Sequence, residues 1–187
     1  MSARPLLTPQ QADDAIRTQV TSSAIESLPL SQCVGATLRE NIYAERDLPP
    51  FDRVCMDGIA IDSGALRRGI RRFHIQGTQQ AGVAALALAG IEDAIEVMTG
   101  AILPRASDCV IPLEQYDIVD GCAALTADVS DKPYNNVQRR GIENPQGALL
   151  LKSGTLLGAP EIAVAASAGM ARVRVSSQPT IMIVSSG

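Results

Sequence analysis

Apolar positions Ala12, Ala15, Ile16 and Val20 recur at helical spacing, and the residues just before them carry a start signal. Thr8-Pro-Gln-Gln11 offers a threonine N-cap, a proline at the first helical position and a glutamine three residues after the cap. The pattern predicts a helix of about three turns whose apolar face packs against the rest of the chain. Leu28-Pro-Leu30 interrupts it, and Cys33 to Leu38 reads as the start of a second short helix with Gly35 as its weak point.

Between about residues 44 and 143 the period shortens to that of strands. Ile59–Ile61, Phe73–Gln76, Ala94–Met98, Val110–Leu113 and Tyr116–Val119 are short β-like runs divided by Gly, Pro and Asp. Asp120-Gly121, between Tyr116–Val119 and Ala123–Val129, is a hairpin signal, because a type I′ turn wants positive φ at both central residues. Gly82 to Gly90 fits either a strand pair or a loop.

Mixed character returns afterwards. Gly147–Leu151 reads as a strand, Pro160–Ala168 as a helix with Gly169 at its C-terminal cap, and Val173–Val175 as a short strand. Thr180–Gly187 has the continuous apolar look of a buried strand running into a turn. Such a strand opens an α/β unit, so a helix is expected to follow it in a longer chain.

Composition narrows the classes. With 46% apolar and 19% charged residues, 187 positions suffice for one sizeable core or two modest ones. A net charge of −4 argues against a dedicated nucleic-acid binder, and the absence of tryptophan with only five other aromatic residues argues against base-stacking platforms. No apolar run reaches the ~18 to 20 residues of a bilayer span, and no signal peptide opens the chain, so the expectation is a soluble, cytoplasmic protein. Cys33, Cys55, Cys109 and Cys122 lie far apart and His74 is the one histidine, which makes a zinc site unlikely on spacing and favours buried, reduced thiols.

The densest candidate chemistry lies in Asp47-Leu-Pro-Pro-Phe-Asp-Arg-Val-Cys-Met-Asp-Gly-Ile-Ala-Ile61. Pro49 and Pro50 forbid helix, Gly58 relaxes the backbone, and Asp57 falls at the mouth of a strand, where a carboxylate can bind Mg²⁺ through oxygen or orient a water. Asp47 and Asp52 read as caps of the turns around the prolines. In Glu96-Val-Met-Thr-Gly-Ala101, Thr99 and Gly100 form a turn whose amides and hydroxyl suit an oxyanion; a plain strand end is the other reading. Asn136-Val-Gln-Arg-Arg-Gly141 sets Arg139 and Arg140 beside a glycine, fit either for phosphate contact or for a solvated basic turn.

In order and content these blocks resemble the MoeA/gephyrin family of molybdopterin molybdenumtransferases. The resemblance runs through Pro49-Pro-Phe-Asp-Arg-Val-Cys-Met-Asp-Gly58, Met98-Thr-Gly-Ala101 with Leu103-Pro104, Asn136–Gly141, Gly154-Thr155, Glu161 and Ala168-Gly169. Val54, Cys55, Ile59, Ala106, Gln138 and Ile142 stand where the family usually has other residues. The fold implied is α+β and largely β. A split elongated domain over 1–43 and 144–178 would hold an inserted β-rich domain at 44–143, with 179–187 as the first strand of a molybdopterin-binding α/β domain otherwise absent from the chain.

The resemblance implies insertion of molybdate into adenylylated molybdopterin with release of AMP, assisted by Mg²⁺, at a site between the subunits of a homodimer. Asp57 and Thr99 would be catalytic, and Met56, Gly58, Gly100, Arg139 and Arg140 cofactor-binding, with no metal-ligand set assigned to this chain. Membrane and nucleic acid are not expected partners. The chain alone is expected to be inactive, and a divergent, non-catalytic scaffold or regulatory dimerisation protein of the same fold is the alternative.

Overall fold

The structure, a computed structural model, describes residues 7–20, 23–126, 128–183 and 185. In chain order the elements are α1 (Pro9–Gln19), β1 (Ile25–Pro29), β2 (Ile42–Tyr43), β3 (Arg53–Val54), β4 (Gly58–Ile61), α2 (Ser63–Arg67), β5 (Arg72–Gln79), β6 (Asp93–Val97), β7 (Cys109–Pro112), β8 (Tyr116–Val119), β9 (Cys122–Leu125), β10 (Val137–Gln138), β11 (Leu149–Leu151), α3 (Ala159–Ser167) and β12 (Arg172–Ser176). The architecture is α+β and largely β. It divides into two compact units, one of residues 1–42 and 149–187, the other of residues 43–148.

The first unit is built on the antiparallel pair β1 and β12, in register from Ile25 opposite Ser176 to Pro29 opposite Arg172. Its core gathers Cys33, Leu38, Ile42, Leu157, Ala165, Val173 and Val175. Helix α3 begins where Glu161 reaches back to accept the Gly158 N–H at 2.9 Å, and it ends before Gly169, whose φ of +81° is the left-handed conformation that stops a helix.

Helix α1 starts as its sequence predicts. Thr8 Oγ1 accepts the Gln11 N–H at 3.3 Å while Gln11 Oε1 accepts the Thr8 N–H at 2.9 Å. Its apolar face, however, is not buried among the described residues: no residue of α1 is buried, and Ile16 and Val20 are exposed. Periodicity identified the helix but carried no information about a partner.

Two further expectations change. A 3₁₀ turn at Leu30–Gln32 replaces the helix expected from Cys33, because Gly35 at φ +81° turns the backbone out of any right-handed helix. Thr180 to Ile183 and Ser185 belong to no strand, and Ile181, Met182 and Ile183 are exposed; Val184, Ser186 and Gly187 of the strand expected over Thr180–Gly187 lie outside the described residues.

The second unit carries a six-stranded mixed sheet in the order β7-β4-β6-β5-β9-β8. Only β5 and β6 run parallel; the other neighbours are antiparallel. Both faces of its β7-β4-β6 side are covered. Ile59, Ile61, Cys109 and Ile111 point into one cluster with Phe73 and with Ala65 and Leu66 of α2, while Ala60, Val110, Ile95 and Val97 point into the other with Val54, Ala101 and Leu103. Burial on two faces explains why β4 and β7 read as unbroken apolar runs rather than as alternation.

The hairpin from β8 to β9 turns at Asp120 and Gly121, with φ of +51° and +72°, as the Asp-Gly pair predicts. Gly82 to Gly90 is a loop. The fully buried Gln79 fixes it, its amide donating to the carbonyls of Gln80, Val83 and Ala84 and its Oε1 accepting the Leu86 N–H at 2.7 Å. At the ends of this unit, Ala44 N–H donates to Ala148 O and Gly147 N–H to Ala44 O, each at 2.8 Å.

Candidate functional site

The Pro-Pro segment leads through β3 into β4, the strand next to the β7 edge of the six-stranded sheet. Gly58 is the first residue of β4 and lies opposite Val97 of β6 on one side and Pro112 of β7 on the other. The strands approach so closely there that a Cβ on Gly58 would sit 2.0 Å from Ile111 O and 2.9 Å from Ile111 C. Glycine is therefore a packing requirement of the sheet, and Asp57, one residue earlier, is held where the sheet ends. Leu113 N–H anchors the Asp57 carbonyl at 3.2 Å.

Across from Asp57, Met98-Thr-Gly-Ala101 closes a turn through Ala101 N–H to Met98 O at 3.0 Å, with Gly100 at φ +85°. A positive φ at the third turn position is the type II requirement that glycine meets. The turn presents Thr99, whose N–H and Oγ1–H both donate to Asp57 Oδ1, at 2.6 and 2.7 Å. The amide and hydroxyl that suggested an oxyanion site are thus already engaged, and the oxyanion they hold belongs to Asp57. No donor to Asp57 Oδ2 is present among the described residues, and the residue is exposed.

These bonds favour the ionised carboxylate, the backbone N–H most and the hydroxyl next, and hold the Asp57 carboxyl below the usual aspartate range. A group so depressed stabilises the fold above its unfolded-state value, and the contribution fades as pH falls through the lower folded value. Replacing Thr99 with alanine removes one of the two donors. A carboxyl-carbon NMR titration is expected to show Asp57 titrating lower than ordinary aspartates in the wild type and moving up in Thr99→Ala; identical midpoints would refute the clamp.

Arg139 and Arg140 belong to a separate loop. Arg139 lies over the Tyr134 ring at 4.5 Å. Arg140 donates its backbone N–H to Asp52 Oδ1 at 2.7 Å and its Nε–H to Asp47 Oδ2 at 2.6 Å. Asp47 also accepts the Gln146 N–H at 2.8 Å, and these contacts, the backbone bond first, hold its carboxyl below the ordinary range. Asp47 and Asp52, expected to cap the turns around the prolines, accept instead from Arg140 and Gln146, and so tie the Pro-Pro segment to a distant loop.

The sequence-derived residues therefore divide. Asp57 and Thr99 are in direct contact. Asp57 and Gly58 line a recess of about 190 Å³ with Glu96, Met98 and Tyr116. Thr99 and Gly100 line a cavity of about 350 Å³ with Arg53, Cys55 and Gln138, where no sequence argument had placed the last three. Met56 is exposed beside the carboxylate. Arg139 and Arg140 line neither of these spaces.

Arg53 is the cation beside Thr99. β3 pairs with β10, setting Arg53 opposite Gln138, and the Arg53 guanidinium bonds Gln138 Oε1 while Gln138 Nε2–H donates to Glu143 Oε1 at 2.5 Å. An arginine inside the Pro-Pro stretch was visible in the sequence; its pairing with a strand more than eighty residues away was not. The thiols also divide: Cys33 and Cys109 are buried, and burial pushes Cys109 up to about 12, whereas Cys55 is exposed.

A family described as the MoeA N-terminal region, domains I and II, matches residues 7–169. The chain belongs to this MoeA N-terminal family. A curated molybdopterin molybdenumtransferase of Synechocystis sp. is 37% identical over 153 residues, covering 82% of this chain and 39% of that protein. A protein of the same name from Staphylococcus aureus is 30% identical over 185 residues, 95% of this chain and 43% of its own length. The chain thus spans about two fifths of the curated relatives it matches. The crystal structure of a molybdopterin biosynthesis MoeA protein from Pyrococcus horikoshii superposes with a TM-score of 0.80 at 28% identity, over 94% of this chain and 45% of that one. Family and fold agree, and the Met56-Asp57-Gly58 and Met98–Ala101 blocks fall inside the matched MoeA region.

Proposed function

We propose that this chain supplies one wall of the active site of a molybdopterin molybdenumtransferase acting in molybdenum cofactor biosynthesis. The whole protein would insert molybdate into adenylylated molybdopterin and release AMP. The observation that carries this reading is the Asp57–Thr99 clamp, a fixed and exposed carboxylate built from two blocks of a MoeA N-terminal region. The transferase names of the relatives favour the enzyme over the scaffold alternative.

A carboxylate held below the usual range is a poor proton acceptor at neutral pH. It suits a charge that orients a water or a bound cation through Oδ2, so Asp57 is assigned the catalytic role and Thr99 the role of positioning it. Gly58 and Gly100 hold the clamp's backbone, Met56 offers an apolar contact beside it, and Arg139 and Arg140 are assigned to phosphate contact.

Mg²⁺ belongs to this reading as a counter-charge for phosphate. No group of three or more His, Cys, Asp or Glu side chains among the described residues could hold it, and Asp57 Oδ2 offers a single oxygen. The remaining ligands are therefore assigned to substrate, water and the rest of the protein. A homodimer with the substrate between subunits, and a cytoplasmic location, complete the proposal; no helix among the described residues is long and apolar enough to cross a membrane.

The complete gene is expected to restore molybdenum cofactor synthesis in a bacterial strain lacking its own transferase. Failure of a stably expressed protein to do so would favour the scaffold reading instead.

A further inference from the structure

Side chains on a strand alternate between the two faces of its sheet. On β5, Phe73 and Ile75 pack into the cluster that includes Ala65 and Leu66 of α2, so His74 between them lies on the opposite face, where its side chain is 67% exposed. Ala123 of β9 and Ala94 of β6 belong to the same cluster, which puts their neighbours Cys122 and Asp93 on the face of His74. Register then aligns all three. His74 is the partner of Cys122 on β9 and of Asp93 on β6, so a thiol, an imidazole and a carboxylate stand in one row across three adjacent strands.

The ladder bonds decide how near the first two come. Ile75 N–H donates to Gly121 O at 3.3 Å on one side of the His74–Cys122 pair, and Leu125 N–H to Arg71 O at 2.9 Å on the other. Hydrogen-bonded and non-hydrogen-bonded pairs alternate along an antiparallel ladder, and this spacing makes His74–Cys122 a non-hydrogen-bonded pair. Opposed side chains approach most closely in such pairs, with Cβ atoms about 5 Å apart. Cys122 is a free, half-buried thiol.

On its other flank the imidazole meets Asp93, with Nδ1 3.6 Å from Oδ1. A carboxylate there favours the proton on Nδ1 and leaves the lone pair on Nε2, the tautomer that ligating histidines adopt when an acid behind them orients the ring. Arg72, two residues earlier on the same face, donates to Val119 O at 3.3 Å and pairs with Asp120 at 3.7 Å, which leaves Asp93 to the imidazole.

We propose that Cys122 Sγ and His74 Nε2 bind one Zn²⁺ or similar borderline-soft divalent ion, with Asp93 orienting the ring and solvent completing the coordination. No group of three His, Cys, Asp or Glu side chains among the described residues could hold an ion, so the protein supplies two ligands and the ion stays open to solutes. Binding releases the thiol proton to solvent. Thiolate and imidazole select such an ion over Mg²⁺, which takes oxygen ligands, and the site is independent of the Asp57–Thr99 clamp and of the transferase reading. Its ligands meet through strand register, so spacing along the chain carries no sign of it.

Titration of the reduced chain with Co²⁺ as a spectroscopic probe, followed by displacement with Zn²⁺, tests the site. One Co²⁺ per chain is expected to bring up an ultraviolet sulfur-to-cobalt charge-transfer band that Zn²⁺ abolishes and Mg²⁺ leaves untouched. Cys122→Ser should remove the band, and His74→Ala, a change at an exposed side chain, should weaken binding about tenfold or more. Asp93→Ala should weaken it about tenfold, the scale for losing the acid behind a ligating histidine. Cys55→Ser, at an exposed thiol elsewhere, and Asp57→Asn should leave the band unchanged. The proposal is overturned if the wild type shows no band. A band that survives Cys122→Ser, affinity unchanged by His74→Ala, or a band lost in Cys55→Ser or Asp57→Asn would equally overturn it, marking an adventitious ion only.

Discussion

Gly58→Ala is expected to destabilise the protein by about 3 kcal/mol and lower Tm by about 10 °C. The reason is the position of a single methyl group. It would sit 2.0 Å from Ile111 O and 3.0 Å from Pro112 Cα, and both atoms are backbone of the adjoining strand. No side chain can rotate aside to make room. Relief requires β4 and β7 to separate, which breaks the ladder from Gly58–Pro112 to Ile61–Cys109 and opens both apolar clusters. Denaturant unfolding measures the effect, and a loss under about 0.5 kcal/mol would mean that the strands part without cost. The same displacement moves Asp57, so activity should fall along with stability.

Asp57→Asn is the complementary case, in which the fold survives and the chemistry fails. Asparagine keeps an Oδ1 that can accept from Thr99, while the negative charge disappears and an amide NH₂ replaces the open oxygen. In the complete protein, molybdate insertion is expected to drop about 100-fold with little change in Tm, the usual scale for losing a preorganised charge at a reacting centre. Unchanged turnover would remove Asp57 from the catalytic role. A large loss of stability would instead make the clamp a structural device.

Signals confined to a few neighbouring residues were legible in advance. Thr8, Pro9 and Gln11 specify the start of α1 through bonds that span three residues, and Asp120-Gly121 specifies a hairpin because both positions need positive φ. What depended on distant partners was not legible. The face of α1 and the apolar residues Ile181–Ile183 have the periodicity of packed elements, yet burial depends on a surface elsewhere that a local pattern cannot reveal. Gly35 was noted as a weak point, but only its left-handed φ explains why no helix forms there.

The same distinction runs through the candidate site. Asp57 and Thr99 stood out separately, in two motifs forty-two residues apart; that one holds the other follows from β4 and β6 being neighbours. Arg53 escaped notice because its partners arrive on β10. Gln79 is the extreme case. A glutamine ending a strand reads as a surface residue, and only its four bonds to one loop account for its complete burial.

The hydrogen bonds joining Ala44 to Gly147 and Ala148 bear on how the chain folds. Bringing together the two pieces of the first unit means closing a loop of roughly 100 residues, at an entropic cost of about 4 kcal/mol for a flexible segment. Once the second unit has formed, its own ends already meet. For the remaining chain the insertion then behaves as a short connection, and most of that closure entropy has been spent within the inserted unit. An order of events in which residues 43–148 fold first therefore removes the main obstacle to pairing β1 with β12, strands that are otherwise separated by most of the sequence.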